Sequence, residues 1–160
     1  MKLLDDKFFD GLSAKAAESA RKRAHFNLHE TLEEDIHRLC VAADPATYVR
    51  PHRHARKWEL LIILKGSASV LMFDNNGVLF ERVELSAGAD GAKAVEIDAD
   101  VLHCFVSNAK GTVVLEVKHG PYVPIAESDF AGWAPPEGSP AAVDTLNWMR
   151  SAQKGQSAGQ

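Results

Sequence analysis

His52-Arg53-His54-Ala55-Arg56-Lys57-Trp58-Glu59-Leu60-Leu61-Ile62-Ile63-Leu64-Lys65-Gly66 places two histidines one residue apart, then a carboxylate, then an apolar run closed by glycine. Residues two apart on an extended strand project to the same side, so His52 and His54 face one way. Glu59 opens the next run and can meet them across a connection of a few residues. Imidazole and carboxylate together suit a borderline divalent ion. Gly66 permits the turn that follows. This spacing, His-x-His-x4-Glu-x6-Gly, is far more specific than a lone histidine pair. A fourth candidate donor, His103, begins the apolar run Leu102–Ser107 after the break at Asp98-Ala99-Asp100, where a side chain can enter the mouth of a barrel.

Working outward, the texture is that of short strands. Ile36–Ala43, Thr47–His54, Glu59–Leu64, Ser67–Asp74, Val78–Leu85, Ala94–Ile97, Leu102–Ser107 and Thr112–Lys118 are apolar runs separated by turn residues. Asp74-Asn75-Asn76-Gly77 is a strong hairpin signal, because Asn and Gly tolerate positive φ. Many short strands at close spacing predict a sandwich or barrel. Before them, Leu4, Phe8, Leu12 and Ala16 recur every four residues and predict a helix capped by Asp5 or Asp6. Arg21 to His29 shows no clean period and reads as an irregular connector. After Gly120, a segment rich in proline and aromatics predicts an ordered wrap, followed by a helix with Ser139 as cap and Pro140 at its first position. The expected organisation is an N-terminal helical arm over 1–35, a barrel over 36–120, a wrap and helix of the same domain over 121–152, and a disordered tail over 153–160.

Composition bounds the function. A chain of 160 residues makes one domain with a sizeable core, and 46% apolar with 25% charged residues is that of a soluble globular protein. The net charge of −4 argues against a dedicated nucleic-acid binder. Cys40 and Cys104 form no C-x-x-C pair, the start of the chain lacks the apolar core of a signal peptide, and no apolar run is long enough to span a bilayer. A cytoplasmic protein with reduced thiols, with neither nucleic acid nor membrane as partner, is expected.

At His52, His54, Glu59 and Gly66 the chain resembles the cupin superfamily, whose first motif is Gly-x5-His-x-His-x(3,4)-Glu-x6-Gly; only the leading Gly departs, as Ala46. In the second motif, Gly-x5-Pro-x-Gly-x2-His-x3-Asn, His103 matches, Asp98 replaces Pro, Asp100 replaces Gly, and Ser107 stands at the Asn position with Asn108 beside it. The resemblance implies an all-β cupin barrel, a double-stranded β-helix or jelly roll. One divalent metal, Fe, Mn, Ni or Zn, is expected on His52, His54, Glu59 and His103. Three imidazoles and one carboxylate leave positions for water or substrate, as catalytic sites do. A homodimer is what the resemblance implies for assembly. A narrower resemblance, to WbuC-type cupin-fold metalloproteins, is carried by Arg21-Lys22-Arg23, His25 to His29, Thr47-Tyr48-Val49, Glu116-Val117-Lys118 and Gly120 to Pro124. It implies a setting in bacterial O-antigen or exopolysaccharide biosynthesis.

Two function classes follow. One is a metal-dependent enzyme acting on a small sugar-derived or anionic substrate. The other is a non-catalytic binding or sensing cupin using the same pocket. Tyr48 and Arg50 share parity with His52 and are candidates to face the cavity, as are Glu116 and Lys118 on an otherwise apolar strand. Arg21 and Arg23 are candidates to hold a phosphate or carboxylate, with the N-terminal arm folded over the barrel mouth. His25, His29, His37 and His119 lack a ligand pattern and are expected to be structural or exposed. Cys104, next to His103, is expected to point away from the metal.

Overall fold

The computed structural model describes residues 1–158. In chain order the elements are helix α1 (Asp6–Glu18), strands β1 (Arg23–Asn27), β2 (Ile36–Ala43), β3 (Glu59–Lys65), β4 (Ser67–Phe73), β5 (Leu79–Ser86), β6 (Ala94–Ile97), β7 (Leu102–Ser107) and β8 (Thr112–His119), a 3₁₀ turn (Glu127–Asp129) and helix α2 (Ala141–Ser151). Two antiparallel sheets form, β1-β2-β8-β3-β6 and β5-β4-β7. His52 pairs with His103 through two backbone bonds of 2.8 and 3.0 Å, so the segment around it stands beside β7 as a fourth position of the smaller sheet. Placing β2-β8-β3-β6 opposite that segment, β7, β4 and β5 gives the jelly-roll order of the cupin barrel.

Register decides what faces inside. Paired residues on neighbouring strands share a side. Glu59 pairs with Lys118, and Lys118 with His37; Leu61 pairs with Glu116, and Glu116 with Leu39. These rows cross the inner face of the larger sheet. Its outer face carries Cys40, Ala42, Val113 and Leu115, which α1 covers with Phe9, Leu12 and Ala16. Asp5 caps α1 by accepting the Phe8 N–H at 2.8 Å. The smaller sheet turns Cys104 outward, its thiol 3.5 Å from the Met149 sulfur of α2. Phe73, Trp133 and Trp148 close that side, with ring centroids 5.0 to 6.2 Å apart. Gly66 links β3 to β4 at φ 73°, and a Cβ there would lie 2.7 Å from Thr112 Oγ1, so the turn requires glycine.

Several sequence expectations need correction. Arg23–Asn27 is a strand and not a connector, so the 1–35 arm contributes to the sheet. It is an edge strand with inverted polarity: Arg23, His25 and Asn27 face the cavity, while Phe26 packs outside on Phe8 at 5.1 Å. Thr47–His54 forms no regular strand, and pairs through two isolated bridges at His52, to His103 and to Phe130. Pro51 lacks the N–H a ladder needs. Helix α1 packs on the outside of the larger sheet and does not cover the mouth. The Ser139 hydroxyl turns back to the Pro136 carbonyl (2.8 Å) and does not cap α2. Residues 153–158, expected to be disordered, are tied to the start of β5, with Leu79 N–H donating to Gln156 (2.9 Å) and Ala158 N–H to Gly77 (3.1 Å). The rest of the expected tail, 159–160, lies outside the described residues. Among the described residues no helix is long and apolar enough to cross a membrane.

Candidate metal centre

Three imidazoles converge at one end of the space between the sheets. His52, His54 and His103 each offer a ring nitrogen, and these atoms lie within 4.8 Å of one another. The backbone sets two of the rings. His52 Nδ1 lies 2.9 Å from the Arg50 carbonyl, and His103 Nδ1 lies 2.9 Å from the Val101 carbonyl. A carbonyl only accepts, so Nδ1 carries a proton in both rings and Nε2 is the nitrogen turned inward, with a lone pair on His52 and, on His103, one that is freed when the proton toward Glu59 leaves. Metal-ligating histidines are held in this way.

Glu59, at the start of β3, completes the cluster. Its Oε2 is 2.8 Å from His103 Nε2, and its Oε1 is 3.4 Å from His54 Nε2. That His54 nitrogen is buried and lacks a hydrogen-bond partner among the described residues. Burial would raise the Glu59 carboxyl; the bond from His103, the nearby His54 ring nitrogen and the charge on Lys118 overcome this and hold it well below the usual range. Burial likewise disfavours the His103 cation, but its bond to Glu59 and the carboxylate charge prevail and raise its pKa. His52 is pushed down to about 3, first by burial and then by the neighbouring His103 charge. A neutral imidazole is what a cation needs as ligand. The orphaned Nε2, the inward lone pairs and the adjacent carboxylate fit a divalent ion.

Asp100 explains a departure from the second motif. It adopts φ 67°, the left-handed conformation that glycine would supply, and Asp tolerates that region. Its carboxylate also accepts the Arg56 N–H at 3.2 Å.

His52, Glu59 and His103 open onto a cavity of about 560 Å³. Lys118 sits beside them, its ammonium 3.3 Å from Glu59 Oε1 and paired with Glu116. Glu116 is raised to about 7 by burial first, then by the Glu59 charge, against the opposing pull of Lys118. Leu39, Val41, Val49, Leu61 and Phe105 form apolar wall. The far wall is β1 and the residues after it. His29 is buried there, its ring stacked on His37 at 4.1 Å. The Arg38 carbonyl, 2.9 Å from His29 Nδ1, already accepts the Leu28 N–H at 2.8 Å, while the Arg38 N–H reaches His29 Nδ1 at 3.1 Å. Satisfying that N–H makes Nδ1 the acceptor and puts the His29 proton on Nε2, which is buried and without a partner among the described residues.

The other candidates divide. Arg23, Glu116 and Lys118 line the cavity; Arg21, Tyr48 and Arg50 do not. Arg21 and Arg23 both pair with Glu137, at 2.5 and 3.3 Å. Tyr48 donates to the Pro135 carbonyl (2.9 Å), and Arg50 reaches the Ala134 carbonyl (3.0 Å) and Glu127 (2.8 Å), lying over the Phe130 ring. The wrap therefore binds both side chains. Sequence reasoning left aside His25, His29 and His37, which all line the cavity. The alternation Arg23-x-His25-x-Asn27-x-His29 was the available signal.

The family model described as Domain of unknown function (DUF6016) matches residues 4–85, from α1 through β5. The chain belongs to the DUF6016 family. The match includes His52, His54 and Glu59 and ends before His103. No curated protein matches this DUF6016 chain in sequence. Among solved structures it is similar to protein SO0799 from Shewanella oneidensis, at 12% identity and TM-score 0.54 over 81% of this chain and 84% of that one. It is also similar to the conserved SPY1581 protein of unknown function from Streptococcus pyogenes, at 14% identity and TM-score 0.51 over 76% and 90%. A cupin-2 domain containing protein from Shewanella frigidimarina aligns at 16% identity and TM-score 0.47 over 61% and 80%. These are likenesses of fold.

Proposed function

We propose that this DUF6016 protein is a metal-dependent enzyme that holds one divalent ion on His52, His54, Glu59 and His103 and acts on a small, oxygen-rich molecule in the adjoining cavity. The observation that carries the reading is the convergence of three imidazole nitrogens within 4.8 Å beside a buried carboxylate. When bound, an open-sided divalent ion supplies Lewis acidity toward an oxygen of substrate or water. The residues around it do the rest. The Arg50 and Val101 carbonyls fix the His52 and His103 rings. Lys118 anchors Glu59 and Glu116. Glu116, raised to about 7, is placed to take or give a proton at its carboxylate at the cavity wall. The apolar walls exclude water from the reacting end.

Glu116 favours an enzyme over a passive binder, because a binding pocket has no need of a carboxyl poised near neutral pH. A sugar-derived substrate in surface-polysaccharide biosynthesis rests on the WbuC-type resemblance. The test is elemental analysis of the purified chain and of a His52→Ala/His54→Ala variant. About one divalent ion per chain in the wild type and little in the variant is expected. Equal content in the two would overturn the metal site. Substrate turnover that survives in wild type and is lost in Glu116→Gln, with metal retained, supports the enzyme reading; ligand binding with no turnover on any substrate tried would favour the sensing class.

A further inference from the structure

We propose that a second recess, of about 530 Å³ on the far side of His54, is a subsite for an oxyanion, a carboxylate or phosphate carried by the molecule whose other end meets the metal ligands. The proposal rests on the metal reading above and adds the chemistry of the ligand. The two spaces adjoin: His37, Lys118, Tyr122 and Ile125 line both. His54 faces the recess while His52, Glu59 and His103 face the inner cavity, so the metal ligands form the partition between them.

The charge around the recess is one-sided. Arg53, Arg56, Lys57 and Lys118 line it, and Asp129 is the sole carboxylate in the lining. Lys118 is engaged by Glu59 and Glu116 and Arg53 faces Asp129, but Arg56 and Lys57 have no carboxylate partner among the described residues. Arg53 Nε stands 4.0 Å from Asp129 and is buried without a hydrogen-bond partner. Lys57 Nζ is held by two carbonyls, of Gly120 (3.3 Å) and Pro121 (2.9 Å), which position the ammonium and leave its charge uncompensated. Among the described residues no carboxylate forms an ion pair with Arg56, whose only tie to Asp100 is through its backbone. The Arg21/Arg23 pair differs, since Glu137 bridges both. In a chain of net charge −4, this gathering of free cations in a concave site makes a local positive field. Guanidinium groups match the fork geometry of carboxylate and phosphate. Across the recess, Tyr122 and Val123 expose 55% and 65% of their surface, an apolar wall for the body of such a ligand.

The test uses the full-length, metal-loaded protein titrated with inorganic phosphate and, separately, with malonate, at low and at physiological salt. The variant is Arg56→Gly/Lys57→Gln, in which glycine suits the φ of 58° at position 56. Wild type is expected to bind at least one probe, with perturbed side-chain N–H signals of Arg53 and Arg56 and affinity that falls with salt. The variant is expected to bind about tenfold more weakly, with its metal content unchanged. The arm that binds separates phosphate from carboxylate. Failure of both probes, or equal affinity in wild type and variant, overturns the subsite, the latter placing the anion on the metal alone. Metal content is measured on the same samples, so loss of the metal reading is seen separately, and the titration then decides the recess on the metal-free chain.

Discussion

The histidines at the two ends of the inner cavity present opposite faces to it. At the metal end, backbone carbonyls accept from Nδ1 of His52 and His103, so Nε2 is the nitrogen left for a cation, at His103 once the proton toward Glu59 has gone. At the β1 end, the Arg38 N–H donates to Nδ1 of His29, so Nε2 offers a proton. The same side chain, buried in the same cavity, becomes a candidate cation ligand in one place and a hydrogen-bond donor in the other. The difference lies in which backbone group lies behind the ring, and counting histidines cannot reveal it.

The largest expected effect separates the two ends outright. His103→Ala removes a metal donor and should weaken metal retention by at least about 100-fold, beyond what loss of an outer partner does. His29→Phe should retain the ion. Metal content after dialysis against a graded chelator checks both, and metal lost equally from the two variants would erase the distinction.

A proton count gives the next effect. In the metal-free protein the bond to Glu59 raises His103 and Glu59 is held low, so below the His103 midpoint the pair carries one proton, on His103. A divalent ion must displace it. Binding below that midpoint should release about one proton per ion, and affinity should fall as pH drops. Release should fade as pH rises through the folded pKa of His103. His52, depressed to about 3, should contribute none. Calorimetry in buffers of different ionisation enthalpy reads the number directly across pH, and zero release at every pH where the protein is folded would contradict the His103–Glu59 assignment.

The smallest effect concerns the β1 end alone. Nitrogen NMR of the imidazoles should find His29 as the Nε2–H tautomer, and a proton on Nδ1 would reverse the comparison. His29→Phe keeps the stack on His37 but strands the Arg38 N–H, and should cost about 1–3 kcal/mol of stability by urea unfolding. An unchanged midpoint would mean that water or another acceptor already serves that N–H.

Much of this molecule was legible in the chain because strand alternation and turn residues are local. Apart from Thr47–His54, the runs from Ile36 to Lys118 match the observed strands closely, and the spacing singled out His52, His54 and Glu59 as candidate ligands, two of whose rings stand with His103. β1 escaped because its alternation is inverted. A strand beside a polar cavity turns Arg23, His25 and Asn27 inward and Ala24 and Phe26 outward, so the usual apolar-inside rule hides it. Tyr48 and Arg50 had the right parity but the wrong partners, the carbonyls of a wrap more than eighty residues away.

What the chain determined by itself was its period, its turns and its ligand spacing, all set by neighbours a few residues apart. Only the tertiary structure decided which charges remain free. Glu137, 114 residues from Arg23, neutralises both Arg21 and Arg23 in the basic run that looked most suited to an anion, while Lys57 meets carbonyls, Arg56 has no carboxylate partner among the described residues and Arg53 faces one carboxylate 4.0 Å away. Electrostatic pairing acts through space and not along the chain, so it is settled only when the sheets close.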